Sequence, residues 1–343
     1  ESGGLSASPL AAGIATSKAI GEALGCRGSL KRCLQEAHPL NLTSATYSYS
    51  WGPHVDGVAV PADPTVMLRQ GFINPVNVIM GSQTNDTFRD LSKQFLKEDG
   101  TLRPLAPLAY QAMLAAQVGP KHLPAVLKLY PPNHHDHTKN VNLLASVGSD
   151  KMLCGVRQRV DAVNRVRPGS AFMYRFNWWY KSNPKCTAEP NYHEDYLGAV
   201  HEDEVTFVMG QPIFMFDGAC CGKWGDKLTR EPCPQMDKCV ACWEPSLGEG
   251  YHAYFNEQEW KFSSLVGGYW ASFAATGTPN GAKADHWPVF GAGESVTHNV
   301  VLDADLPEQH AKELTPYGNP GICAFWDELG EESSRPSPLI VEV

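Results

Sequence analysis

The sequence predicts an α/β fold. Apolar residues recur at helical spacing in several segments, and these alternate with short apolar runs rich in β-formers. The turn Pro168-Gly169 separates one helical segment from the apolar run that follows it. An acidic loop residue after one apolar run, and a histidine on a later loop, add a candidate site to that framework.

The elements follow in chain order. Residues 17–25, with Ala19, Ile20, Ala23 and Leu24, read as a short amphipathic helix ending near Gly25. Residues 76–81, Val-Asn-Val-Ile-Met-Gly, read as a buried strand. Residues 105–118 read as a helix with Leu108, Met113 and Leu114 on one side. Residues 150–166 form a second, with Leu153, Val156, Val160 and Val163 at helical spacing. The turn Pro168-Gly169 introduces a strand over 171–176. Residues 257–276 are the strongest helix. Asn256 can cap it and Glu259 can complete a capping box. Phe262, Val266, Tyr269 and Phe273 form its apolar face, and Gly277 stops it. Residues 339–343 fit a final edge strand. Two segments break the rhythm. Residues 131–140 are a polar loop holding His134, His135 and His137. Residues 211–250 are rich in Gly, Cys and Pro without a period, and read as a disulfide-stapled insertion.

Bulk properties narrow the function classes. The chain has 343 residues and a formal charge of −9 without a basic patch, which argues against nucleic acid and anionic membranes as partners. Hydrophobic residues make up 43%, enough for a sizeable core. No apolar run approaches the ~18 residues that span a bilayer. Ten cysteines, six of them between Cys186 and Cys242, read as a disulfide set in a secreted or lumenal protein. The sequon Asn41-Leu42-Thr43 agrees with that compartment. The chain opens Glu1-Ser2-Gly3-Gly4 without methionine, so we expect an upstream portion to have been removed or omitted.

The chemistry concentrates at two loops. Asp86 lies in Ser82-Gln83-Thr84-Asn85-Asp86-Thr87, after the 76–81 run. His201 follows Gly198-Ala199-Val200 and precedes Glu202-Asp203-Glu204. A carboxylate and then a histidine is the second half of the chain order Ser…Asp/Glu…His. An imidazole suits a general base because it titrates near working pH, and a carboxylate can hold its tautomer. No G-x-S-x-G turn occurs anywhere in the chain.

Further stretches fall into one pattern. Residues 49–57, Tyr-Ser-Trp-Gly-Pro-His-Val-Asp-Gly, look like F-x-P-V-V-D-G. Leu68, Gly71, Asn74, Val76 and Ile79-Met80-Gly81 look like L-x-x-G-x-x-x-x-V-P-x-I-x-G. Gly198 to His201, with Glu204 and residues 207–210, looks like G-x-x-H-G-x-E-x-x-Y-x-F-G. Residues 269–281 and Trp287-Pro288 are similar to Y-W-x-N-F-A-x-T-G-x-P-N-x…W-P, and Cys323-Ala324-Phe325-Trp326 to C-x-F-W. In this order the chain resembles the C-terminal part of the type-B carboxylesterase/cholinesterase family of α/β-hydrolases.

That resemblance implies the C-terminal three-fifths of one α/β-hydrolase domain over 1–343, with 211–250 inserted in it. His201 would be the general base and Asp86 the acid of a Ser-His-Asp triad. Its serine and oxyanion glycines would lie in an N-terminal segment of the same precursor. Ser2 matches a later E-S-G of the family rather than the nucleophile turn. We expect His201 and Asp86 roughly 2.6–3.2 Å apart, on loops at the C-terminal ends of adjacent strands. Three positions depart from the pattern. Glu202 and Thr87 stand where the family has Gly, and Asp86 where most members have Glu. Cys26–Cys33 and Cys154–Cys323 look like family disulfides. Cys186, Cys220, Cys221, Cys233, Cys239 and Cys242 remain for the insertion, where Cys239 and Cys242 also have the spacing of half a zinc site. The implied activity is carboxylic ester hydrolysis of a small-molecule substrate without cofactor or metal. The alternative is a non-catalytic relative used for adhesion or assembly.

Overall fold

The structure is a computed structural model describing residues 7–49, 52–95, 97, 101–178, 198–210, 255, 257–281, 286–291, 299–305, 311–314 and 320–334. The insertion at 211–250, its cysteines, Cys186, Asn256 and residues 339–343 lie outside that set. The chain divides into two compact units, one spanning Gly4–Asn74 and the other Pro75–Val343 with Glu1–Gly3.

In the smaller unit a short strand β1 (Ser8–Pro9) pairs in parallel with β2 (His54–Val55). Between them run α1 (Leu10–Ala23), α2 (Leu30–Glu36) and α3 (Pro39–Thr46), and α4 (Pro64–Arg69) follows. The first helix begins earlier than the expected 17–25, because Pro9 is its cap and Leu10 opens it. Leu10 and Ile14 on that extra turn are exposed, so apolar periodicity does not reveal it. Asp63 caps α4 by accepting from the backbone N–H groups of Thr65 at 2.9 Å and Val66 at 3.3 Å. The Cys26–Cys33 disulfide joins the end of α1 to α2, with Cα atoms 5.7 Å apart.

The larger unit is built on a four-stranded sheet of order β3-β4-β5-β6. Its strands are β3 (Val78–Gln83), β4 (Ala171–Phe176), β5 (Asn299–Leu302) and β6 (Ala311–Leu314). The first three are parallel and β6 is antiparallel to β5. Val78 pairs with Ala171 and Gln83 with Phe176. The strand expected at 76–81 is therefore displaced by two residues: Val76 is exposed, whereas the polar Ser82 and Gln83 are buried at its C-terminal end. Hydropathy misplaces it because its last residues serve a buried polar network. Gly81 is required where the chains approach, since a Cβ there would lie 2.4 Å from the Tyr174 ring.

Helices cover both faces of the sheet. After α5 (Phe88–Phe95), α6 (Pro107–Val118) and α7 (Leu123–Leu129), the 28-residue α8 (Lys139–Val166) crosses over and packs on β3 and β4. Its C-terminal half buries Leu153, Val156, Val160 and Val163, as the spacing predicts. It also continues N-terminally through Gly148-Ser149, burying Val141, Leu144, Ala145 and Val147. In α6 the buried residues are Tyr110, Leu114 and Val118, and Leu108 is 79% exposed, so the apolar face is rotated from the expected one. On the other face, Phe172, Tyr174 and Phe176 alternate along β4 and meet α9 (Asp203–Met209) and α10 (Glu257–Thr276). Phe262, Val266 and Tyr269 of α10 are fully buried, and Phe273 packs edge-on against Phe172. Glu259 accepts from the Trp178 indole N–H at 3.3 Å. Gly277 ends α10 at φ +78°. Asn280 clasps Trp287 through two hydrogen bonds of 2.6 and 2.9 Å, holding the indole against Tyr174 and Tyr269. The Cys154–Cys323 disulfide ties α8 to the last helix, α11 (Pro320–Ser334).

Candidate active site

The site forms where the loop after β3 meets the turn before α9. The Asn85 N–H donates to the Ala199 carbonyl at 2.9 Å, and the His201 N–H donates to the Asp86 carbonyl at 3.2 Å. These two backbone bonds join the loops directly. The structure thus brings together the two residues singled out in the sequence: Asp86 Oδ1 lies 2.8 Å from His201 Nδ1. The Asp86 side chain is fully buried, and its Oδ2 accepts from the Gln83 N–H at 3.1 Å. The His201 side chain is 44% exposed. A buried, doubly held carboxylate behind a half-open imidazole fixes the ring and leaves its far edge toward the outside.

Burial alone would lower the histidine pKa, but here it is raised. The Asp86 hydrogen bond is the largest cause, and the charges of Asp86, Glu202 and Glu204 add to it against desolvation.

The turn itself is shaped by acidic residues with different tasks. Asp203 Oδ2 accepts from the Val200 N–H at 2.7 Å, closing the backbone around His201. Glu204, also buried, accepts from the Tyr174 hydroxyl at 3.0 Å and from the Gln83 side-chain amide. Sequence reasoning attached no role to Asp203, Gln83 or Tyr174, because their partnership spans two strands and a helix. Only the glutamate three residues after the histidine gave a signal. Glu202 takes the left-handed conformation at φ +76°, ψ 1°, the one non-glycine with positive φ among the described residues.

Thr87 anchors the acid loop to α8. Its hydroxyl donates to the Ala145 carbonyl at 2.9 Å, and its N–H donates to Ser149 Oγ at 3.3 Å. Gly148 makes room for it, since a Cβ there would lie 2.5 Å from Thr87 Oγ1. The loop with His134, His135 and His137 lies apart in sequence and carries Asn133 and Asp136 turns. Among the described residues, no group of three or more His, Cys, Asp or Glu could hold a metal ion.

A mostly parallel sheet with helices on both faces is the architecture of the α/β-hydrolase class, and the loop after β3 and the turn before α9 place an acid and a histidine together on it. The crystal structure of EstA from Aspergillus niger has this fold: it superposes with a TM-score of 0.60 at 16% identity, covering 96% of this chain and 57% of that one. The carboxylesterase family model matches residues 5–220, well over half the chain, and the chain belongs to that family. Rat carboxylesterase 1D is 25% identical over 296 residues, which cover 85% of this chain and 43% of the relative. Rat carboxylesterase 1C is 23% identical over 326 residues, or 92% of this chain and 50% of the relative. The medium-chain fatty acyl-CoA hydrolase precursor of the duck Anas platyrhynchos is 24% identical over 330 residues, or 91% and 49%. The chain thus spans about half the length of these relatives.

Proposed function

We propose that this chain supplies the histidine and acid of a serine carboxylic ester hydrolase. The observation that carries the reading is the 2.8 Å contact between Asp86 Oδ1 and His201 Nδ1. With Nδ1 engaged by the acid, Nε2 is the nitrogen that handles the proton. A serine Oγ attacks the ester carbonyl as Nε2 takes its proton. The tetrahedral intermediate collapses, and Nε2 returns that proton to the departing alcohol. Water, deprotonated by the same nitrogen, then releases the carboxylic acid and frees the serine. Asp86 orients the ring and stabilises the imidazolium in both halves.

The serine and the oxyanion donors come, on this reading, from an N-terminal segment of the same precursor. The absence of a G-x-S-x-G turn from these 343 residues and the greater length of the relatives support it. So does β3, which among the described residues pairs with β4 on one side only. An unpaired strand edge is a pairing template that proteins cover or blunt. Residues 1–343 then form the C-terminal part of one hydrolase domain, with 211–250 inserted in it. The substrate is a small-molecule ester. The disulfides Cys26–Cys33 and Cys154–Cys323 support a secreted or lumenal site of action.

The test is turnover of a simple p-nitrophenyl ester by the full-length chain, with labelling by an organophosphate that reacts with activated serines. We expect hydrolysis and one labelled serine outside residues 1–343. His201→Ala should lower kcat by at least about 10³-fold. Full activity in His201→Ala, or no serine labelling in the folded protein, refutes the reading and favours a non-catalytic role.

A further inference from the structure

The sequence holds two N-glycosylation triplets, Asn41-Leu42-Thr43 and Asn85-Asp86-Thr87. The fold sets them in opposite surroundings. Asn41 is exposed on α3, a helix of eight residues that buries none of them. It makes no hydrogen bond through its side chain to a described residue. Thr43 is exposed too, and its hydroxyl donates to the Pro39 carbonyl one turn back at 2.9 Å. A short helix with nothing buried opens at little cost, which frees the triplet for an enzyme that reads it. Asn41 also borders an open recess of about 620 Å³, walled by Arg27, Ser29, Arg32, Cys33 and His38. The Cys26–Cys33 disulfide pins that wall. A bulky, hydrated group on Asn41 therefore meets solvent and open space. Asn85 is half-buried, and its N–H donates to the Ala199 carbonyl at 2.9 Å. A Cβ on Gly198 would lie 3.4 Å from the Asn85 Cβ and 4.0 Å from its Nδ2. The middle residue, Asp86, is buried on His201, and the Thr87 hydroxyl donates to the Ala145 carbonyl at 2.9 Å. A sugar on Asn85 would have to part its loop from the turn that carries His201.

We propose that Asn41 carries an N-linked glycan and that Asn85 stays bare in the folded protein. This rests on the secreted or lumenal site of action, and not on the ester-hydrolase chemistry. The step is transfer from a lipid-linked oligosaccharide diphosphate, catalysed by the host's oligosaccharyltransferase. Asn41 Nδ2 bonds to C1 of the first N-acetylglucosamine as the C1–O bond to the diphosphate breaks. The amide gives up one proton, and the lipid diphosphate leaves with the bonding electron pair. Transfer takes place on a chain that is still folding, so both triplets meet the enzyme. A chain glycosylated at Asn85 could not close the loop pair around Asp86 and His201, so the folded population carries no sugar there.

The experiment expresses the full-length chain in mammalian cells and purifies the folded protein. Peptide-N-glycosidase in ¹⁸O-water turns each glycosylated asparagine into a labelled aspartate, which peptide mass spectrometry locates. The same digest, unreduced, reports the Cys154–Cys323 bridge. We expect the label at position 41 and none at 85. Asn41→Gln and Thr43→Ala should each abolish the glycosidase-sensitive mobility shift, and Thr43→Ser should keep it. The wild-type map decides the matter even where a variant fails to fold. An unlabelled position 41 in protein with the bridge formed overturns the inference and leaves the compartment reading standing. Label at position 85 overturns its second half. No label together with free thiols at Cys154 and Cys323 sinks the compartment reading, and this inference with it.

Discussion

Glu202 and Thr87 stand where the carboxylesterase pattern has glycine, and the structure accommodates them differently. Glu202 retains the glycine-like backbone, so Glu202→Gly should stabilise the protein by about 1 kcal/mol, read as a higher denaturant midpoint with an unchanged slope. Thr87 is accommodated by its neighbour Gly148 and by the hydrogen bond to Ala145. Gly148→Ala should therefore destabilise by about 1–3 kcal/mol through overpacking, and adding Thr87→Gly should recover most of the loss. His201 gives a pH prediction. Its folded pKa is raised above 6.5, chiefly by the Asp86 hydrogen bond, and the base must be neutral to accept a proton. On the proposed reading, the acid limb of kcat/KM for the full-length chain should lie above pH 6.5. The stability contributed by the protonated pair has the opposite course: it is complete below 6.5 and lost as pH rises through the folded value. A kinetic profile and a pH series of unfolding midpoints check the two halves.

At the scale of elements, the loop after β3 and the turn before α9 act as one piece, because two backbone hydrogen bonds join them. On the proposed reading, this lets an aspartate serve where most members have glutamate. The backbones already touch, so the shorter side chain reaches Nδ1 at 2.8 Å. Asp86→Glu should then push the imidazole out of line, lowering kcat about 10²-fold while leaving KM less affected. The sequence located β4, α10 and the core half of α8, where β-branched, aromatic and aliphatic residues repeat with the period of the element. It misjudged α6, α1 and the start of α8. In α6 the buried face includes Tyr110, in α1 the first turns are exposed, and in α8 the N-terminal half buries the polar Asn140 and Ser149 and packs Gly148 under Thr87.

Across the larger unit, the Cys154–Cys323 bridge spans 169 positions and ties α8 to α11. The same two helices share an ion pair between Arg157 and Asp327, with Asp327 also accepting from Gln158 at 2.5 Å. Chain-entropy models assign such a long loop about 5 kcal/mol at most, and local contacts persist without the bridge. Replacing both cysteines by serine should cost about 2–5 kcal/mol in denaturant unfolding, whereas the Cys26–Cys33 pair should cost less, because its loop spans only 7 positions.

The two described disulfides were implied by the resemblance to a family; the sequence by itself determined the α/β class, that family and the candidate pair Asp86 and His201. Each of these is written locally, as a period of apolar residues, a motif or an order of residue types. Only the tertiary structure decided how the pair is supported. That Asp203 closes the turn, that Gln83 and Tyr174 hold Glu204, that Gly148 yields to Thr87 and that Glu202 bears the strain all depend on contacts between segments far apart in the chain. A buried polar group is satisfied by whichever donor the packed core brings to it, and no local pattern names that donor in advance.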